Sequence, residues 1–307
     1  MGFFFETGIR WCPRKEHEPV KFVVIIPAYN EEEFLAVTMQ SIVEQTLKPN
    51  QLIVVNDGST DRTGEIIASY AERYSWIKGV DTRKKPLHSG GAKVVQAFNA
   101  GLEQIDTADW SIVYKLDADI ELPKDYFQEV LNAYQKNPKL GMASGIIVIS
   151  QDGLWKREKI GDADHTRGPV KSYRRACFEE MNGLRQTIGW DSLDEMLALH
   201  YGWEVKVISS LEVKHHRATG AETGQLKVMR KVGRGMFRSR YGFWISLISA
   251  AKLGLNQSPR ILTGLSCMTG WLQAWIRGDK RVINKEEGRF IRSYRWKRMK
   301  EKLTGTN

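Results

Sequence analysis

The sequence predicts an α/β domain built on a mostly parallel central sheet flanked by helices, followed by a basic helical region. Three observations carry this expectation. Short Val/Ile-rich runs alternate with segments of helical period, polar small-residue clusters stand where those runs end, and charge is unevenly divided along the chain.

The runs KFVVII (21–26), QLIVV (51–55), WIKGV (76–80), WSIVYKL (110–116) and GMASGIIVIS (141–150) read as buried strands, being short, β-branched and bounded by turn residues. Between the first two, Leu35, Met39, Ile42 and Val43 fall at helical spacing, with Asn30 as the expected N-cap and three glutamates in the first turn. Further helices are expected from near Asp61, near Gly91 and at Pro123, a residue suited to a first turn. After Pro169 a short helix ends at Asn182-Gly183. The next helix, capped by Asp191 or Ser192, carries Leu193, Met196, Leu197 and His200 and stops at Gly202. EVKVIS (204–209) is the last expected strand.

Ligands of open α/β sheets bind beyond the carboxyl ends of the strands. That rule selects PAYNEEE, NDGSTD, TRKKPLHSGGAK and DADIELP, the segments that follow the first four runs. No GxGxxG follows the first run and no GxxxxGK[ST] occurs, so neither dinucleotide nor Walker-type phosphate binding has a motif behind it. Cys12, Cys177 and Cys267 are scattered without ligand-like spacing, which points away from a disulfide framework or a zinc site and toward a reducing compartment. No export or lipidation signal is read at the amino end.

Chemistry concentrates in a few residues. Asp117 and Asp119, spaced i, i+2 after a buried strand, can share one hard cation or divide between a cation and a ribose hydroxyl; they can also simply cap a strand end. Asp57 is open to two readings, an Asx turn or an acceptor for a base imide.

Together, IIPAYNEEEFL, IVVNDGSTDRT, KLDADIELP and the IGWDSLDE helix resemble family 2 glycosyltransferases of the GT-A (nucleotide-diphospho-sugar transferase) fold over roughly residues 20–218. The resemblance implies that Pro27, Tyr29 and Glu31 line a nucleoside pocket, that Asp57 bonds the base, and that Arg83 and Lys93 lie near the donor's nucleotide or phosphates. It further implies that Asp117 meets the ribose or metal-bound water and that Asp119 ligates a divalent cation, manganese or magnesium. His215 or His216, left nearly tied, would supply a third ligand. The family places its base in a Glu-Asp pair at the start of an acceptor-side helix; here Trp190-Asp191 stands there, so the glutamate is missing. Asp191 is the expected base, with Asp194 and Glu195 as alternatives one turn on, and Asp191 as a mere helix cap the bland reading. Trp190 is a sugar platform or core packing.

Residues 219–307 hold 19 Lys+Arg against 5 Asp+Glu, while the rest of the chain carries a small net negative charge. The expected organisation is therefore an N-terminal extension (1–20), a catalytic domain (21–218) and a basic amphipathic tail (219–307). FWISLISAAKLGL (243–255) and ILTGLSCMTGWLQAWI (261–276) are too short to span a bilayer, and Ile261, Leu265, Met268, Leu272 and Trp275 form an apolar stripe. Such helices either lie in an anionic membrane surface or pack on the domain or a second copy. The expected function is an inverting, cation-dependent glycosyltransferase of cell-envelope polysaccharide synthesis, cytoplasmic and peripheral at the inner face of the membrane. Its donor would be a UDP- or GDP-sugar and its acceptor a saccharide or lipid-linked hydroxyl. A nucleotidyltransferase lacks its triphosphate loop, and a nucleic-acid-binding protein lacks any recognition motif.

Overall fold

The computed structural model of the chain describes residues 20–82, 93–158, 165–217, 225–256 and 259–305. Strands β1 (Phe22–Ala28), β2 (Gln51–Asn56), β3 (Ile77–Asp81) and β4 (Ile112–Leu116) are interleaved with helices α1 (Leu35–Val43), α2 (Thr63–Arg73) and α3 (Lys93–Leu102). The short β5 (Ile120–Glu121) leads to α4 (Tyr126–Lys136), β6 (Leu140–Gln151) and β7 (Leu154–Arg157). Next come β8 (Val170–Arg174), α5 (Arg175–Glu180), α6 (Trp190–His200) and β9 (Glu204–His215). Four helices close the chain: α7 (Gln225–Arg238), α8 (Phe243–Asn256), α9 (Arg260–Ile276) and α10 (Lys285–Thr304).

The sheet runs β3-β2-β1-β4-β8-β6-β9-β5, with β7 paired to β6. The first four strands are parallel, as the alternating pattern predicts. Beyond β4 the sheet becomes mixed, because β8 enters antiparallel between β4 and β6 while β6 and β9 pair in parallel. Pro27 is accommodated at the end of β1, since pairing with β4 stops at Ile25 opposite Lys115 and no amide is required beyond it. One face of the sheet buries Leu35, Met39 and Ile42 of α1 with Tyr126, Phe127 and Val130 of α4. The other face buries Val95 and Phe98 of α3, Leu193 and Leu197 of α6, and also Ile245, Ile283 and Ile291 from the C-terminal region.

Three local expectations are corrected. Asn30 does not cap α1, which starts five residues later; it sits at a φ of 54° and accepts a hydrogen bond from the Thr60 amide at 2.9 Å. Asp191 and Ser192 do not cap α6 either, because the preceding residue is Gly189 at a φ of 76° and Asp191 lies inside the first turn. β8 and β7 have no counterpart among the expected strands, and β9 continues past Ser209 to His215.

Candidate active site

The loops after β1 and β2 are laced together. The Asn30 amide donates to Ser59 Oγ at 3.0 Å and the Glu31 amide to Thr63 Oγ1 at 2.8 Å, so PAYNEEE and NDGSTD form one rigid ledge at the carboxyl ends of their strands. Within it Asn56 makes the turn, accepting from the Ser59 amide at 3.0 Å, and Asp61 accepts from the Thr63 amide at 3.0 Å. The turns of this loop are thus closed by Asn56 and Asp61. Asp57 is left with the Thr82 hydroxyl at 2.9 Å and a half-buried carboxylate, in keeping with the base-acceptor alternative. Tyr29 follows Ala28 where Asp57 follows its registered partner Asn56, and it is exposed, with the Lys93 ammonium 5.7 Å from its ring. Arg83 lies outside the described residues, as does His88.

The Asp117–Asp119 turn is fixed from below by α1. Thr38 Oγ1 lies 2.8 and 2.7 Å from the Ala118 and Ile120 carbonyls and accepts from the Ile120 amide at 3.0 Å. Ile120 of β5 is registered against His215 of β9. Asp117, Asp119 and His215 thereby gather, each offering one ligand atom, and these atoms lie within 4.8 Å of one another. His215 Nε2 is 3.2 Å from Asp119 Oδ1, and its buried Nδ1 has no hydrogen-bond partner among the described residues. Two carboxylate oxygens and an imidazole nitrogen suit a divalent cation bound at about 2.1 Å after a small contraction of the cluster. His216 points elsewhere: it stacks on Phe34 with ring centroids 5.1 Å apart and faces the Glu121 carboxylate at 3.5 Å.

Electrostatics bind this cluster. Burial pushes the Asp119 carboxyl up, but the His215 hydrogen bond and charge, with the Arg217 guanidinium 3.7 Å away, hold it below the ordinary value. Burial pulls His215 down, and Asp119 and Asp117 lift it further than burial lowers it. Arg217 also pairs with Glu31, so the expected nucleoside-pocket glutamate lies on the cation side of the ledge.

Two buried lysines, invisible as site residues in the sequence, hold carboxylates of the Asp117 turn and of α6. Lys115 and Lys171 are registered partners across β4 and β8, and the Trp190 ring lies between their ammonium groups at 5.2 and 5.6 Å. Trp190, 8% exposed, belongs to the core cluster of α3 and α6, in keeping with the packing alternative. Lys115 pairs with Asp117 and donates to the Gly168 carbonyl at 3.0 Å, while the Asp117 amide donates to the Pro169 carbonyl at 2.9 Å. Gly168 in turn lies against Asp191: a Cβ there would stand 3.5 Å from Asp191 Oδ2. The segment 168–169 thus touches both Asp117, through its amide and Lys115, and Asp191.

The three carboxylates of α6 are now distinguishable. Asp194 is 1% exposed and engaged by Lys171 Nζ at 2.7 Å and the Tyr173 hydroxyl at 2.6 Å. Glu195 accepts from Thr166 at 3.1 and 3.0 Å and faces His165 Nδ1 at 2.7 Å. The Asp191 carboxylate has no hydrogen-bond or ion-pair partner among the described residues; only its backbone carbonyl is held, by Lys171. The position of Asp194 suits an anchor for the helix and not a group that meets an acceptor.

Burial pushes the Asp194 carboxyl up to about 6 against the pull of Lys171 and Tyr173. The folded protein therefore holds this proton more tightly than the unfolded chain. The contribution to stability is fully present below about pH 3.8 and is lost as pH rises through about 6. Asp194→Asn, which strands the Lys171 charge, is expected to lower stability by about 3–5 kcal/mol at neutral pH. It should also flatten this stretch of the stability curve in urea titrations. Unchanged stability with lost transfer would instead make Asp194 a reacting group.

The model of "Glycosyl transferase family 2" matches residues 23–189, more than half of the chain. A probable glycosyltransferase of Bacillus subtilis, YdaM, is 36% identical over 219 residues, covering 63% of this chain and 48% of that protein. The poly-beta-1,6-N-acetyl-D-glucosamine synthase of Staphylococcus epidermidis is 32% identical over 133 residues, covering 43% of this chain and 30% of the synthase. The chain thus spans less than half the length of these curated relatives. Among solved structures, the mannosyltransferase PcManGT of Pyrobaculum calidifontis, in complex with GDP-Man and Mn2+, superposes with a TM-score of 0.57 at 16% identity, covering 94% of this chain and 88% of that one. S. aureus TarS 1–349 in complex with UDP superposes with a TM-score of 0.53 at 15% identity, covering 85% and 92%. These likenesses establish the GT-A fold.

Proposed function

We propose, on the premise that the chain belongs to glycosyl transferase family 2, that it moves a sugar from a nucleotide-sugar donor to an acceptor hydroxyl with inversion at the anomeric carbon. The observation that carries this is the pairing of an acidic cluster suited to a cation with Asp191, whose carboxylate has no partner among the described residues, across the 168–169 segment. Family membership sets the nucleotidyltransferase and nucleic-acid readings aside.

In this reading the ledge of Pro27, Tyr29 and Asp57 receives the nucleoside, with Asp57 accepting from the base. Asp117, Asp119 and His215 hold manganese or magnesium, and Mn2+ in the mannosyltransferase structure supports the choice. The cation, when bound, supplies positive charge against the departing nucleoside diphosphate. Asp191, in the first turn of α6, takes the acceptor proton as the new bond forms. A single base with in-line attack inverts the centre. Arg83 and Lys93 remain assigned to the donor's nucleotide or phosphates.

Solved neighbours with UDP and GDP-Man support a UDP- or GDP-sugar donor. The synthase relative supports an envelope saccharide, free or lipid-linked, as acceptor. The buried, unbridged Cys177 and Cys267 fit a cytoplasmic setting, and peripheral contact with the inner face of the membrane completes the reading. Asp57→Ala is expected to raise the donor KM more than it lowers kcat, because the base contact is made equally before and during reaction. Failure of UDP and GDP to bind in the presence of manganese, read by titration calorimetry, would contradict the donor assignment.

A further inference from the structure

Helices α8 and α9 are built inside out. Where they cross each other and α7, glycines let the backbones meet: a Cβ on Gly264 would stand 2.7 Å from the Ala250 carbonyl oxygen, and one on Gly233 or Gly270 would stand closer still to a carbonyl of the facing α9 or α7. Ile245 and Trp271 are buried, but most of the other bulky side chains point away. On α8, Trp244, Leu247, Ile248 and Leu255 recur along one exposed face, with Trp244 at 66% and Leu255 at 74%. On α9 the stripe read in the sequence is turned outward at Ile261, Leu265, Leu272 and Trp275, with Ile261 at 77% and Trp275 at 61% exposed, while Met268 is half-buried against Met229 and Cys267. A helix of a water-soluble domain orders these faces the other way, and contiguous apolar surface of this kind marks a partner.

Charge indicates which partner. Between Glu222 and Asp279 the chain has no acidic residue, and exposed Lys252, Arg260 and Arg277 stand at the borders of the apolar face. In a two-fold dimer the same basic border would meet itself. An anionic lipid surface complements both the border and the face. No helix of the described residues is long and apolar enough to cross a membrane, so the pair would lie in the surface plane. The module is fixed to the domain: a Cβ on Gly235 of α7 would stand 2.7 Å from the Ile188 carbonyl oxygen, and Arg238 donates to the Gln186 carbonyl at 3.0 Å, just ahead of α6.

We propose that the outward face of α8 and α9 inserts into the interface of an anionic leaflet, with Trp244 and Trp275 at headgroup depth and the flanking basic residues on the phosphates. This gives the proposed membrane contact its surface, and it does not depend on the transferase chemistry.

The test uses the full chain and vesicles of phosphatidylcholine with or without phosphatidylglycerol, at low and high salt. Co-sedimentation with the anionic vesicles is expected, weakening by at least about tenfold at high salt or without phosphatidylglycerol. Leu265→Glu with Trp275→Glu should abolish binding, whereas Lys252→Glu with Arg277→Glu should lose chiefly the preference for anionic lipid. Because all four side chains face solvent, melting curves and nucleotide-sugar turnover in detergent-free buffer should match the parent. Parent protein that ignores anionic vesicles overturns the proposal, as does unchanged binding in the Leu265/Trp275 variant. So does a concentration-dependent dimer in sedimentation velocity that the same variant dissolves, which would identify a second copy as the occupant. Absence of turnover in every variant, with vesicle binding intact, would count against the transferase reading alone.

Discussion

Asp119→Ala is expected to reduce donor turnover by about 10²–10³-fold or more, while the protein remains folded. Asp119 contributes an oxygen to the cluster with Asp117 and His215, and its carboxylate faces His215 and Arg217. Its removal frees His215 and Arg217 without leaving an unpaired buried charge, since Arg217 keeps Glu31. Manganese affinity, measured by electron paramagnetic resonance without donor, should fall in parallel. Full turnover in the variant, or in EDTA, would remove the cation from the account.

Asp191→Asn is expected to lower transfer by about 10²–10⁴-fold while UDP or GDP affinity stays within a few-fold. An acceptor hydroxyl is a poor nucleophile at neutral pH, and the amide retains the shape of the side chain but loses the basic oxygen. Stability should change little, because the Asp191 carboxylate has no partner among the described residues and does not cap α6. The same replacement at Asp194 acts differently. It breaks a buried pair with Lys171, so its loss should appear in denaturation before it appears in transfer. Near-normal transfer by Asp191→Asn would displace the base to another carboxylate.

Much of this arrangement was legible in the sequence. The parallel half of the sheet announces itself through apolar runs, and Asp57, Asp117 and Asp119 follow from their places at strand ends. β8 was hidden because VKSYR reads as polar; its Lys171, Ser172 and Tyr173 are buried and satisfied by partners distant in sequence. A lysine inside the apolar IVYKL run was the one available signal for Lys115.

Local pattern also stops short where alternation leaves two answers. Neighbouring residues of a strand point to opposite faces, so only one of His215 and His216 could face Asp119, and the register of Ile120 against His215 decides which. The three carboxylates of α6 differ only in what surrounds them, and those surroundings come from β8 and residues 165–168. The tail's apolar stripe was readable as a stripe, but its outward direction follows from glycines that bring α7, α8 and α9 together along the opposite face.

The most direct measurement is nucleoside diphosphate release from UDP-, GDP- and dTDP-sugars with manganese present, for the parent, Asp119→Ala and Asp191→Asn. The account predicts release from at least one donor by the parent, loss with EDTA and in Asp119→Ala, and retained nucleotide binding with lost transfer in Asp191→Asn. Parent protein that binds none of these nucleotides and releases no diphosphate with any donor would contradict it.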